Sequence, residues 1–391
     1  MTEKNENVTR RGWIKTAGGL VAGLAIGGAA GYLAKPAEVV QTTQTVEKTV
    51  TETVTAAGTQ AAAYPKLKIA AINAEPRDDL GWGQQGWDAL LQAQKLYGAD
   101  IHMTEGVVAP SDVIRVVEDY IQKGYSVILG NGSHTGEPLH TQGVPLKYPD
   151  TTFMWTCVQY SDPNAYSFVY REEETGFMQG AAAALVTKSG KVGVVLPAPA
   201  PCTYSFQNGF ILGAKAAKPN VSVSKALVGS WVDPVKAKDM TMSMIQDGVD
   251  AIGHYGCGCQ LGIYEAVEKN NVKVFGTFYD QSSLAPNTLV FSVHFNHWQG
   301  LNAVLQDVFA KKVDGKLLPA NYAAGTYWNI PNPQVWNTMS DDFKTKIAYL
   351  ESRLKGRTNT PGKPGLYLIV PRIEYPAEEK DLPSPPKDIF G

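Results

Sequence analysis

The chain has 391 residues, 44% hydrophobic and only 18% charged, with 35 Lys and Arg against 37 Asp and Glu for a formal net charge of −2. That near-neutral balance argues against affinity for nucleic acid through a basic face, and 4 cysteines in so long a chain exclude a disulfide scaffold. The length suits two lobes of about 150 residues plus an appendage.

The appendage comes first. Thr9-Arg10-Arg11-Gly12-Trp13-Ile14-Lys15 precedes an uncharged Gly- and Ala-rich run from Thr16 to Ala34, closed by Lys35-Pro36. The pattern resembles a twin-arginine export signal, and about nineteen residues at 1.5 Å rise also just cross a ~30 Å hydrocarbon core. Residues 1–34 therefore read as a signal or membrane anchor that leaves Lys4, Arg10, Arg11 and Lys15 in the cytoplasm and the remainder outside. Residues 35–63, rich in Thr and without an aromatic before Tyr64, read as a stalk, with a strand or a coiled coil as the alternatives.

From Leu67 onward, short β-type runs alternate with helical stretches. The strands are expected at Leu67 to Ile72, Ile101 to Met103, Val127 to Leu129, Thr152 to Cys157, Ser167 to Tyr170, Val192 to Leu196, Val221 to Leu227, Ala251 to Tyr255, Val272 to Phe278 and Leu289 to Val293. Helices are expected at Gln84 to Tyr97, Ser111 to Lys123, Glu173 to Lys188, Phe206 to Ala217, Pro234 to Gln246, Leu261 to Glu268 and His297 to Lys312. Such alternation makes an α/β protein of two Rossmann-like lobes with parallel sheets joined by a hinge, spanning 64–330. Lobe 1 is expected at 64–185 and 279–318, and lobe 2 at 186–278. Residues 331–391 read as a C-terminal helix, with Phe343, Ile347, Leu350 and Leu354 on one face, then a Pro-rich tail in which Leu366 to Val370 suits an edge strand.

In open α/β sheets, ligands sit at the carboxyl ends of strands, and the loops there carry a resemblance. Asp78-Asp79-Leu80-Gly81-Trp82-Gly83-Gln84-Gln85-Gly86-Trp87-Asp88 resembles the first-loop signature of the basic membrane protein family of ABC-transporter substrate-binding proteins. Tyr148-Pro149-Asp150, Glu174 to Gly180, Lys191 to Val195, Asn208-Gly209-Phe210, Trp231-Val232-Asp233-Pro234, Tyr279-Asp280-Gln281-Ser282 and Ser292-Val293 match further blocks in the same order. The resemblance implies a type I periplasmic-binding-protein fold and an extracytoplasmic, monomeric solute-binding protein. It would hand its ligand to membrane permease subunits and involve no catalysis, cofactor, metal or nucleic acid. Gly83, Trp155-Thr156-Cys157 and Phe295 stand where nucleoside-binding members carry polar groups that hold a ribose. A bare nucleobase or other flat aromatic ligand therefore fits better than a nucleoside, within an expected class of purine-like heterocycles, nucleobase or nucleoside.

The residues point the same way without the family. Trp82, Trp155, Tyr204, Phe206, Tyr255 and Phe295 fall at or just beyond strand ends, where exposed ring faces can stack on a planar ligand. Asp280 is the expected polar anchor, with Asp79, Gln84, Asn131 and Ser133 as further contacts; capping of the following turn is the competing role for Asp280. A sandwich between Trp82 and either Phe206 or Tyr204 is expected. Gly256-Cys257-Gly258-Cys259-Gln260-Leu261-Gly262 has GxGxxxG spacing, which departs from a dinucleotide fingerprint. Cys202 with Cys257 or Cys259 offers a conceivable disulfide, against free buried thiols, while metal ligation requires a fuller constellation. A ligand sensor docked on a membrane signalling partner is the alternative function. A hydrolase using Asp280 or Cys202 lacks a base at recognisable spacing.

Overall fold

The computed structural model describes residues 66–356 and 370–390; the expected signal, the stalk and most of the 366–370 strand lie outside them. Among the described residues no helix is long and apolar enough to cross a membrane.

The first sheet contains β1 (Lys68–Ile72), β2 (Asp100–Thr104), β3 (Val127–Gly130), β4 (Thr152–Thr156), β5 (Ala165–Tyr170) and, from far along the chain, β11 (Leu317–Ala320). Their order is β11-β5-β4-β3-β1-β2, and every pairing is parallel. β3 and β4 are buried at every position, as strands covered by helices on both faces must be. The covering helices include α1 (Trp82–Tyr97), α2 (Pro110–Gln122) and α3 (Ser133–Thr141). A single turn, α4 (Val144–Lys147), leads into β4.

The second sheet has the order β12-β10-β9-β8-β6-β7. It comprises β6 (Lys191–Leu196), β7 (Ser222–Leu227), β8 (Ala251–His254), β9 (Lys273–Phe278), β10 (Leu289–Phe295) and β12 (Tyr327–Pro331). Only β12 runs antiparallel, against β10. Helices α5 (Glu172–Val186), α6 (Pro201–Ala217), α7 (Pro234–Gln246) and α8 (Gln260–Asn270) accompany this sheet, whereas α9 (His297–Phe309) returns to lobe 1. There the Tyr97 hydroxyl on α1 donates to Asn302 Oδ1 at 2.6 Å.

This topology corrects the expected lobe boundary. Residues 279–318 are divided: β10 pairs with its sequence neighbour β9, from Leu289↔Val274 to His294↔Phe278, and the chain crosses to lobe 1 only after Phe295. It crosses back between β11 and β12. With the β5–α5 passage, three strands of chain connect the lobes.

Helix α5 is buried along almost its whole length because its small residues let α6 approach to backbone contact. A Cβ at Gly180 would lie 2.0 Å from the Phe210 carbonyl oxygen, so nothing larger fits. Beyond α10 (Pro333–Trp336), helix α11 (Asp341–Leu354) buries Phe343, Ile347, Leu350 and Leu354, the stripe expected from their spacing, and packs near α5. The segment after it clamps the hinge. Arg372 donates to the Tyr170 carbonyl at 2.5 Å and pairs with Glu172 at 3.0 Å and Glu173 at 3.2 Å. Asn208 Nδ2 on α6 donates to the carbonyls of Ile373 and Tyr375, both at 2.9 Å.

Candidate functional site

The carboxyl ends of β1, β3 and β4 in lobe 1 face those of β6, β7 and β8 in lobe 2 across a cavity of about 20 Å³. By that measure it has room for about one water. Lobe 1 contributes Glu75, Trp82, Gly132, Ser133, His134 and Cys157; lobe 2 contributes Cys202, Trp231, Tyr255 and Cys257. Several polar atoms here are buried with no hydrogen-bond partner: Glu75 Oε2, His134 Nε2 and the Tyr255 hydroxyl. Buried polar atoms are nearly always satisfied, so three on one cavity mark it as the candidate site for a polar ligand.

Burial sets their protonation. Glu75 is raised from 4.5 to about 8, first by desolvation and then by the charge of Asp79. His134 is lowered from 6.5 to about 4 by desolvation, so at neutral pH its ring is uncharged. The wall thus offers a protonated carboxyl and a neutral imidazole, each able to donate or accept along the edge of a solute.

The lobes are tied together beside this cavity. Gln260 Nε2 at the start of α8 donates to the Asp79 carbonyl at 2.7 Å, and Gln281 Nε2 donates to the Leu80 carbonyl at 2.9 Å and to Gln260 Oε1 at 2.7 Å. Gln85 Nε2 on α1 donates to the Phe278 carbonyl at 2.6 Å. These side chains reach from one lobe to the backbone of the other.

Of the residues expected at the site, Trp82, Ser133 and Tyr255 line the cavity. The others have different work. Asp79 accepts from the amides of Gly81 at 2.8 Å, Gly83 at 3.2 Å and Gln84 at 3.0 Å, fixing the N-terminus of α1. Burial raises it to about 6 against the opposing pull of those amides. Gln84 supplies one of them and is only partly buried, off the cavity. Asn131 Nδ2 donates to Asn73 Oδ1 and to the Trp82 carbonyl, each at 3.1 Å, and so positions Trp82.

Trp155 is fully buried in lobe 1, its Nε1 donating to the Tyr160 carbonyl at 3.0 Å. Phe206 is fully buried with its ring 4.9 Å from that of Tyr255, and Tyr204 lies off the cavity. The expected Trp82–Phe206 or Trp82–Tyr204 sandwich is therefore replaced: the second-lobe rings at the cavity are Tyr255 and Trp231. Asp280 is exposed, and its Oδ1 accepts from the Ser282 amide at 3.0 Å and hydroxyl at 2.6 Å, which is the turn-capping role. Phe295 is fully buried between Tyr170 at 5.2 Å and Tyr327 at 4.4 Å. Those rings gain more from one another than from solvent.

The possible disulfide is absent: all four cysteines are free and buried. Cys259 packs in a separate lobe 2 core, and the thiol of Cys202 lies near that of Cys157 from the other lobe. Glu75, His134, Gln260 and Gln281 were not among the expected site residues, although each follows or closely trails a strand end. A search for rings at those positions passes over them.

A match to the family described as ABC transporter substrate-binding protein PnrA-like covers residues 66–316. The chain is 26% identical over 306 residues to a purine-binding protein of Brucella abortus, covering 78% of this chain and 85% of that one. It is 29% identical over 228 residues to the transcriptional activator protein med of Bacillus subtilis, covering 58% and 69%. With the ABC transporter nucleoside-binding protein BmpA of Lactococcus lactis it shares 24% over 340 residues, covering 79% and 93%. Among solved structures, an ABC transporter solute-binding protein from Conexibacter woesei superimposes with a TM-score of 0.61 at 19% identity, covering 75% of this chain and 98% of that one. At these identities the structural likeness speaks for the fold.

Proposed function

The chain belongs to the Bmp family of PnrA-like ABC-transporter substrate-binding proteins, and from that premise we propose that it captures a purine-like heterocycle, nucleobase or nucleoside, by closing its two lobes. The ABC solute-binding proteins of this family are extracytoplasmic components of transporters and not enzymes. The finer reading adds that the chain acts as a monomer, is held at the membrane by residues 1–34, and hands its ligand to permease subunits.

The observation that carries the ligand reading is the pairing of unpartnered polar atoms with aromatic walls on one interlobe cavity. Glu75 Oε2, His134 Nε2 and the Tyr255 hydroxyl suit the ring nitrogens and exocyclic groups of a purine edge, while Trp82 and Trp231 supply apolar surface. The names of the Brucella and Lactococcus relatives support the same ligand class. A nucleobase is far larger than 20 Å³, so entry requires the lobes to part and the Gln260 and Gln281 links to break.

A thermal-shift screen of nucleobases, nucleosides, flavins, sugars and amino acids tests the reading. A ligand at 100 times its Kd that binds only the folded chain adds about 2.7 kcal/mol of stability. The expected outcome is a raised melting point with purines. A shift with sugars or amino acids and none with any heterocycle refutes the ligand class.

A further inference from the structure

The sequence separates Cys157, Glu172 and Cys202, but the fold brings them together. Their two sulfur atoms and a carboxylate oxygen all lie within 4.8 Å of one another, and all three residues are buried. Cys157 follows β4 in lobe 1, Cys202 opens α6 in lobe 2, and Glu172 opens α5, the helix by which the chain first passes between them. The Glu172 carboxylate is approached by the Cys157 thiol, its hydrogen-bonding neighbour, and by Arg372 at 3.0 Å. Cys157 and Cys202 also line the interlobe cavity, whose volume of about 20 Å³ accommodates a cation's water ligand but not an organic solute.

We propose that Cys157, Cys202 and Glu172 form a binding site for a borderline-soft divalent transition-metal cation, with Zn2+ or Co2+ as probes, that ties lobe 1 to lobe 2. Thiolate sulfur selects this class over Mg2+ and Ca2+, which take oxygen ligands. Bonds of about 2.3 Å to sulfur and about 2.0–2.2 Å to oxygen place the ligand atoms of a tetrahedral centre within about 4 Å of one another. The observed spacing is within a small side-chain adjustment of that. The fourth position falls to water in the adjoining cavity.

Charge balances around such an ion. Arg171 and Arg372 pair with Glu172, Glu173 and Glu374, through Arg171–Glu173, Arg372–Glu172, Arg372–Glu173 and Arg372–Glu374 contacts, and the ion adds nothing to that network. Two thiols that each release a proton to solvent then neutralise the incoming dication, so the buried cluster gains no net charge. The site adjoins the cavity of the heterocycle reading but goes beyond that reading: the ion acts on closure, and its ligands are not the groups assigned to the solute edge.

The test is a Co2+ titration of the full chain, reduced and freed of metal by chelator. The expected result is one equivalent bound, with near-ultraviolet thiolate-to-cobalt absorption of the intensity of two Co–S bonds and competition by Zn2+. Cys157→Ser and Cys202→Ser, from different lobes, should each weaken binding at least tenfold, and Glu172→Gln by less. Cys259→Ala should leave it unchanged. Circular dichroism melts of each variant separate lost binding from lost fold, and the wild-type band intensity decides the point even where a variant misfolds. Absence of the charge-transfer band in the wild type, or its persistence in both serine variants, overturns the proposal. Purine binding measured on the same metal-free chain keeps the two readings apart. A purine response without a cobalt band removes only the metal site, and the band without a purine response removes only the heterocycle.

Discussion

Two groups of side chains at the carboxyl ends of the strands, less than a side chain apart, behave in opposite ways. In the hinge, Trp82, Tyr170, Phe278, Phe295 and Tyr327 turn their edges and faces to one another, with Tyr170 and Phe295 inclined by only 14° and Trp82 edge-on to Tyr170 and Phe278, both at 5.2 Å. In the cavity next to it, Glu75 Oε2, His134 Nε2 and the Tyr255 hydroxyl are buried without a hydrogen-bond partner, while the Cys257 thiol hydrogen-bonds the Glu75 carboxyl. The first group packs ring on ring, with the Tyr327 hydroxyl its one atom left without a partner, and so holds the lobes to a common frame. The second gathers several such polar atoms around one open space, where a solute can reach them. Trp82 belongs to both, lining the cavity while its ring packs edge-on against the hinge rings.

The comparison breaks most visibly if a hinge ring is removed. Phe295→Ala should cost about 3–5 kcal/mol of folding stability, the usual range for deleting a fully buried Phe, read from denaturant unfolding. A loss below about 1 kcal/mol would mean that the cluster is loosely packed and available to a ligand after all. Next in size is Arg372→Ala. It strips the buried Glu172 and Glu173 of a counter-charge and should destabilise by about 3 kcal/mol in the same assay. Wild-type stability in that variant would separate the tail from the hinge.

A smaller effect distinguishes the cavity. Glu75→Gln should weaken purine binding about 5- to 150-fold, the equivalent of one hydrogen bond of about 1–3 kcal/mol, without lowering stability at neutral pH. Its pH signature has a definite sign. The unfolded carboxyl ionises above 4.5 while the folded one keeps its proton up to about 8, so the unfolded chain is increasingly favoured as pH rises between those values. Glu172 and Glu174, raised by burial to about 7 and about 8, act in the same direction. His134, lowered to about 4, acts oppositely but only below 6.5. The melting point should therefore fall from pH 6.5 to 8, and Glu75→Gln should flatten that fall. The smallest effect belongs to Asp280→Asn, which touches only its own turn: less than about 0.5 kcal/mol in stability and no change in affinity.

The same contrast explains what the amino-acid order discloses. Periodicity locates the strands and most helices because burial on both faces demands continuous apolar runs such as Val127-Ile128-Leu129. It misses α3, whose Ser133-His134-Thr135-Gly136 start is polar and Gly-rich, and it assigns β10 to the wrong lobe, since crossover points depend on which edge is free. At the site, strand-end position is legible but ring environment is not: Trp155 and Phe295 read as ligand platforms only until their neighbours are known. Residues 370–390 carry no periodic signal, and their role rests on Arg372 meeting charges nearly 200 positions away.

The central claim is that the interlobe cavity, and not the aromatic hinge, reads the solute. Titration calorimetry of adenine, guanine, hypoxanthine and their nucleosides against wild type, Glu75→Gln and His134→Ala tests it directly. The account predicts saturable binding of at least one purine with a stoichiometry of one, weakened in both variants while their melting points stay near wild type. Binding that both substitutions leave untouched, or no purine binding at all, would contradict it.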